Sequence, residues 1–159
     1  MQASLLVRIT TSRLFTWILR NIASHVDPVI FKATNGRLTM FGPTAFPMLT
    51  ITTIGRKSGK PRSAHLATID DEGDPLIVAS AMGQERHPSW RYNLEANPIV
   101  EVQMEGESYT ATAVVLTEQE KAKIWQKILD SIPQIRVYET RTERNIRVFR
   151  LHRLEITQG

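Results

Sequence analysis

Residues 46–70, FPMLTITTIGRKSGKPRSAHLATID, hold two strand-like runs, Phe46–Ile54 and Arg62–Asp70, separated by one strongly basic turn. Gly55 and Gly59 bracket Arg56-Lys57-Ser58, and Lys60, Pro61 and Arg62 follow. Glycines at this spacing permit positive φ and let a ligand come close to the backbone. Arg56, Lys57, Lys60 and Arg62 place four cations within seven residues. Such a turn can act as a cup that holds phosphates or carboxylates through charge-assisted bonds. It can equally be a solvated basic hairpin with no ligand, and these residues alone leave both readings open. The phosphate-loop pattern is absent, because the four-residue spacer before Gly-Lys-Ser/Thr is missing.

Outward from this hairpin the texture stays that of short strands and turns. Leu76–Ala81, Ile99–Glu105, Ser108–Leu116 and Arg147–Glu155 are the further strand candidates. The turns Asp70-Asp71-Glu72-Gly73-Asp74 and Glu105-Gly106-Glu107 predict antiparallel hairpins. Many short strands joined in this way predict a barrel or sandwich, mainly β within an α+β class. Two helices interrupt them. His87–Leu94 carries Pro88 near its first turn, and Asn97-Pro98 ends it. Thr117–Ser131 opens on a capping box of Thr117 and Glu120, with Ile124, Trp125, Ile128 and Leu129 as its buried stripe, and Pro133 stops it.

Before Phe46 the chain reads differently. Ser4–Ser24 has helical spacing in Leu14, Ile18 and Ile22, and a second piece from Asp27-Pro28 reaches Thr34 before Asn35-Gly36. The breakers of 41–47 put the edge of the folded core there, so the expected organisation is an amphipathic extension (1–45) and a β domain (46–159). Arg8, Arg13 and Arg20 make the apolar runs too short to span a bilayer, and no cleavage-site pattern follows. The helix either packs on the domain or lies in a membrane interface with Trp17 at headgroup level. A cytoplasmic location is expected, with peripheral attachment to the inner membrane face through residues 1–45 as its variant.

Composition bounds the function. The 159 residues, 42% apolar and 23% charged, suit one soluble domain. The absence of cysteine removes disulfides, thiolate metal sites and cysteine nucleophiles. A net charge of +4 favours anionic partners. Basic residues lacking interleaved aromatics or a recognition helix argue against nucleic acid. His25, His65, His87 and His152 lack metal-ligand spacing, and His65 on a strand reads as a core or lining residue. Ser58, Ser80 and Ser89 sit in no nucleophile elbow. The carboxylates of 70–74 read as a turn. What remains is a pocket without an obvious acid or base. Ser80-Ala81-Met82-Gly83 at a strand end, then Pro88-Ser89-Trp90 at a helix start, can accommodate a flat ring and a phosphate. A plain strand-to-helix connection with Trp90 in the core is the alternative.

TTIGRKSGKPR (52–62), LIVASAMG (76–83) and HPSWRYNLEANP (87–98), in this order and spacing, resemble the deazaflavin-dependent nitroreductase and quinone reductase family. The resemblance covers about Phe46–Val148. It implies a split β-barrel of about six antiparallel strands and the coenzyme F420, an 8-hydroxy-5-deazaflavin with a phosphate, lactyl and glutamate tail. It implies that Arg56, Lys57, Ser58, Lys60 and Arg62 grip the tail. Ser80, Ala81, Met82, Gly83, Trp90 and Asn93 border the ring and phosphate. His65, Ala67, Ile135 and Tyr138 fall on the acceptor side, with Tyr138 as the candidate catalytic donor. Hydride would pass to a hydrophobic, electron-poor acceptor: a quinone, enone, nitro compound or unsaturated lipid. Two departures stand out. Met82 occupies a place where strongly active members often carry lysine, and Ile132 and Ile135 occupy places where they carry tyrosine. An FMN-dependent reductase and a non-catalytic carrier of lipid, haem or cofactor are the competing readings. Monomer and homodimer both remain open.

Overall fold

Met48–Ile54 (β3) alternates strictly, turning Leu49, Ile51 and Thr53 inward, so one face of the strand must be covered. The computed structural model describes residues 5–18, 21–22, 24–34, 38–39, 42–43 and 47–155. In it β3 pairs antiparallel with Pro61–Asp71 (β4), with Thr53 opposite Arg62 and Ile54 opposite Pro61. Asp74–Val78 (β5), Ile99–Met104 (β6), Glu107–Val115 (β7) and Val148–Arg153 (β8) complete the sheet. The order β3-β4-β5-β8-β7-β6 closes on itself, with Ile51 of β3 opposite Val102 of β6. Closure removes exposed sheet edges. The expected antiparallel barrel of six strands is the fold observed.

Two apolar clusters share the barrel wall. One fills the interior, with Leu49, Ile51, Val102 and Leu151, and reaches Trp90 and Leu94 of helix Ser89–Ala96 (α4). The other lies between the barrel and the helices Glu118–Ser131 (α5) and Gln134–Glu139 (α6), around Ile69, Ile128, Ile135 and Tyr138. Neighbouring residues of β5 serve both: Ile77 joins the first, Leu76 and Val78 the second. The capping box on α5 is present, with Glu120 N–H donating to Thr117 Oγ1 and Thr117 N–H to Glu120 Oε2.

The structure corrects several element boundaries. The single helix expected over Ser4–Ser24 is broken into Leu5–Thr10 (α1) and Arg13–Ile18 (α2). At the break Thr11 Oγ1 donates to Val7 O (2.6 Å), and Ser12 Oγ accepts from Phe15 N–H (3.2 Å). Short hydroxyl side chains compete for backbone groups in this way and restart the helix. A third helix, Ser24–Ala33 (α3), packs on β4. The breaker-rich stretch holds two two-residue strands, Leu38–Thr39 (β1) and Gly42–Pro43 (β2). Phe46, assigned to β3 from sequence, lies outside the described residues. β5 stops at Val78, not Ala81. α4 starts at Ser89 because Pro88, with φ −63° and ψ 142°, takes the cap position. Pro133 does end α5, but it also opens α6, which was not anticipated.

Candidate functional site

The basic turn between β3 and β4 is built from below. Gly55 N–H donates to Lys60 O and Gly59 N–H to Gly55 O, both at 2.8 Å. Gly59 has φ +65°, and a Cβ on Gly55 would stand 2.5 Å from Ser58 Oγ. Glycine is favoured at Gly59 by its backbone and at Gly55 by the space. Ser58 Oγ accepts from Lys60 N–H (3.3 Å), so this hydroxyl helps shape the turn itself. Asn93 of α4, buried, accepts from Arg56 N–H and donates to Thr53 Oγ1, each at 3.0 Å. Thr53 Oγ1 in turn donates to Arg62 O (3.2 Å). This buried polar chain fixes the turn to both the barrel and α4.

Above it lies a cleft of about 500 Å³ lined by Arg56, Lys57, Ser58 and Arg62 on one side and Trp90, Tyr92 and Asn93 on the other. Lys60 is exposed beside it. The Arg56 guanidinium sits 4.9 Å from the centre of the Tyr92 ring. Among the described residues no carboxylate forms an ion pair with Arg56, Lys57, Lys60 or Arg62. Exposed cations lacking carboxylate partners suit a polyanionic chain, which would supply them.

The strand-end segment of Ser80, Ala81, Met82 and Gly83 does not line this cleft. Ala81 (φ +46°), Met82 (φ +55°) and Gly83 (φ +75°) are three consecutive left-handed residues. Two of them carry side chains, which costs about 1–2 kcal/mol each. A Cβ on Gly83 would stand 2.8 Å from both Tyr138 O and Arg141 Cβ, so this turn docks tightly on the end of α6. Arg144 holds it. Its Nη1 donates to Ala79 O (2.8 Å), its Nε to Gln84 O (2.7 Å), and its Nη2 to Ser80 O. Nη1 also meets His87 Nδ1 at 3.1 Å. Burial, followed by the charge of Arg91, pushes Arg144 below the usual arginine value. His87 is likewise held down, by burial first and then by Arg91 and Arg144.

The acceptor-side candidates are only partly gathered. Ala67, Met82, Ile135 and Tyr138 all belong to the apolar cluster under α5 and α6. Burial raises the Tyr138 hydroxyl above the ordinary tyrosine value, and the nearby Arg141 guanidinium, 5.7 Å from the ring centre, partly opposes it. His65, on β4, instead pairs through Nδ1 with Thr50 Oγ1 (3.1 Å). Trp90 packs edge-on against Phe149 at 5.8 Å, so it is at once core and cleft wall. Sequence reasoning missed Tyr92, His87 and Arg144. Tyr92 had a signal, standing inside the motif HPSWRYNLEANP that carries the resemblance. Arg144 had none, since its partners are some 60 residues away. A second cleft, of about 490 Å³, lies over α5 between Trp125 and Asn145. Its polar groups are already partnered: Lys121 with Glu118 and Asn145, Glu139 with the Trp125 indole N–H, and Arg144 with backbone carbonyls.

A closed antiparallel barrel with an unpaired basic turn beside a helix start defines a split-barrel cofactor-binding protein. The model of the F420H(2)-dependent quinone reductase family matches residues 25–152. An F420H(2)-dependent quinone reductase of Mycobacterium tuberculosis is 34% identical over 143 residues, 86% of this chain and 96% of the relative. The solved F420-H2 dependent reductase FDR-A is 36% identical with a TM-score of 0.61, covering 67% of this chain and 94% of its own. A domain-swapped dimer at 32% identity has a TM-score of 0.62 and covers 80% and 97%. The chain belongs to the F420H(2)-dependent quinone reductase family. It is an oxidoreductase whose cofactor is coenzyme F420.

Proposed function

We propose that this protein reduces a quinone, or a similarly apolar and electron-poor acceptor, at the expense of reduced F420. The observation that carries this reading is the set of exposed cations without carboxylate partners beside the cleft of about 500 Å³. Arg56, Lys57, Lys60 and Arg62 bind the phosphate and glutamate tail, and Asn93 keeps their backbone in place. Trp90 and the turn at Ser80, Ala81, Met82 and Gly83 border the ring. When bound, the reduced coenzyme supplies a hydride equivalent. Apolar surface around Ala67, Ile135 and Met82 excludes water from the acceptor. Tyr138, kept protonated by burial, offers the hydrogen bond and the proton that an acceptor oxygen needs once hydride has arrived. His65 and Thr50 line the barrel side.

Fluorescence titration with F420 and separately with FMN, at low and high salt, tests the cofactor site. F420 should bind at micromolar concentration and weaken with salt, and each of Arg56→Ala and Lys60→Ala should cost about tenfold, the scale of one charge-assisted bond. Tighter FMN binding, or indifference to both substitutions, would reject it. FMN has a single phosphate and leaves most of these cations without a partner.

The N-terminal segment supports a further part of the proposal, peripheral contact with a membrane that stores apolar acceptors. Among the described residues no helix is long and apolar enough to cross a membrane. Yet Leu5 and Leu14 are about 70% exposed and Trp17 half exposed, next to Arg8 and Arg13. Apolar and basic groups exposed together suit an interfacial helix. The full chain should float with anionic vesicles and not with neutral ones, while a chain lacking residues 1–22 should stay at the bottom of the gradient. Equal behaviour of the two chains would remove this part.

A further inference from the structure

Arg144 makes four contacts, and none is to an acid. Its fork spans the carbonyls of Ala79, Ser80 and Gln84, which lie either side of the left-handed residues Ala81, Met82 and Gly83. Within the turn itself only Gly83 N–H to Ser80 O (2.9 Å) and Gln84 N–H to Ala81 O (3.1 Å) oppose the backbone strain. The remaining contact, Nη1 to His87 Nδ1, settles a tautomer. A guanidinium carries donors only, so Nδ1 must accept and a neutral His87 keeps its proton on Nε2. His87 also meets the Tyr92 ring edge-on at 6.0 Å, and Tyr92 lines the basic cleft. One side chain from the segment before β8 therefore joins the strand-end turn to the start of α4.

We propose that Arg144 is a positioning residue that pre-forms the ring side of the coenzyme site, holding the 79–84 turn in its left-handed path and locking His87 as the Nε2–H tautomer. This rests on the reading that F420 binds at this site. Arg144 does not grip an anion as a fork: four of its five N–H donors already face carbonyl oxygens and an imidazole nitrogen. A lysine would keep the charge but could not span three carbonyls and a ring nitrogen.

Two measurements on the full chain test this, and the first needs no coenzyme. Nitrogen NMR of the histidine side chains, with pH titration, reads the His87 tautomer in the wild-type protein. The groups facing His87 are Arg91, Arg144, Arg147, Glu95 and Tyr92. The expected result is an unprotonated Nδ1 that titrates below the ordinary histidine range. An Nδ1–H tautomer, or ordinary titration, would overturn the proposal without any variant having to fold. The second measurement is F420 affinity at two salt concentrations for Arg144→Lys and Arg144→Gln, each checked for native circular dichroism. Both should lose about tenfold, with the salt dependence of the wild type retained and the His87 titration moved toward ordinary values. Retained affinity in Arg144→Lys, with loss only in Arg144→Gln, would make Arg144 a direct anion contact and sink the positioning role. If wild-type protein bound no F420, the functional reading would fail, while the His87 signal would still decide whether the staple exists.

Discussion

Tyr138 combines two properties that pull apart. Its side chain is buried among Ile128, Ile132 and Ile135, where a phenylalanine would pack as well, yet it carries a hydroxyl. Burial disfavours the phenolate, so the group stays protonated through neutral pH and beyond its ordinary value. The sign is clear: a raised value keeps the donor form, and any stability tied to it, intact below about pH 10 and loses both only above. Tyr138→Phe should therefore fold normally and lower kcat about 100-fold at little cost in KM, the scale expected for one lost proton donor. Wild-type kcat should show no fall from this group up to about pH 9. A variant with full kcat would reduce Tyr138 to packing. The roles at this scale were unevenly legible. Arg56 and Lys57 announced themselves by charge and glycine spacing. Asn93 was named only through family resemblance, and its bond to Arg56 N–H spans 37 residues that no local pattern encodes.

Elements are joined by longer side chains. Asp71, at the end of β4, accepts from Lys127 of α5 (2.9 Å) and from Arg150 of β8 (2.7 Å), and its own carbonyl takes a second Arg150 bond (3.1 Å). From sequence it looked like one acid of a turn; in three dimensions it fastens a helix to the barrel. The Lys127 ammonium foremost, and Arg150 after it, hold its carboxyl below the usual range against the opposing effect of burial. A depressed value means the contribution is present above the unfolded-state value, about 3.9, and is lost as pH falls through the folded-state value. Unfolding free energies from urea denaturation of wild type and Asp71→Asn should differ at pH 7 by about 1–3 kcal/mol and converge as pH drops below about 4. A gap that stayed constant with pH would assign the effect to shape and not charge. Local chemistry explains what else was readable here. The α5 capping box lies within four residues and was found; the break at Thr11–Ser12 uses the same hydroxyl chemistry, but inside a run whose apolar spacing reads straight through it.

For the whole molecule, strand-like runs and turn residues were enough to pick out six strand candidates and two antiparallel hairpins, because each hairpin is local; closing them into one barrel was implied by the resemblance. The order in which β8 enters between β5 and β7 is not local, and it was not anticipated. That closure makes the candidate site part of the core: Trp90 belongs to the interior cluster while lining the cleft, and Asn93 bonds to Thr53 inside the barrel. Coenzyme that binds these walls must therefore stabilise the entire barrel and not a single loop. At a free concentration one hundred times Kd, a ligand specific for the folded state adds about 2.7 kcal/mol. For a chain of this size that is a rise of roughly 5–10 °C in Tm. Thermal melts with F420 should show this rise as one cooperative transition, shrinking when salt screens Arg56, Lys57, Lys60 and Arg62. FMN at the same concentration should shift Tm less, having fewer charges to offer the turn. An equal or larger shift with FMN would transfer the site to that cofactor. A second transition that alone responded to F420 would mean that the turn and α4 unfold apart from the barrel, against the buried Asn93–Thr53–Arg62 chain.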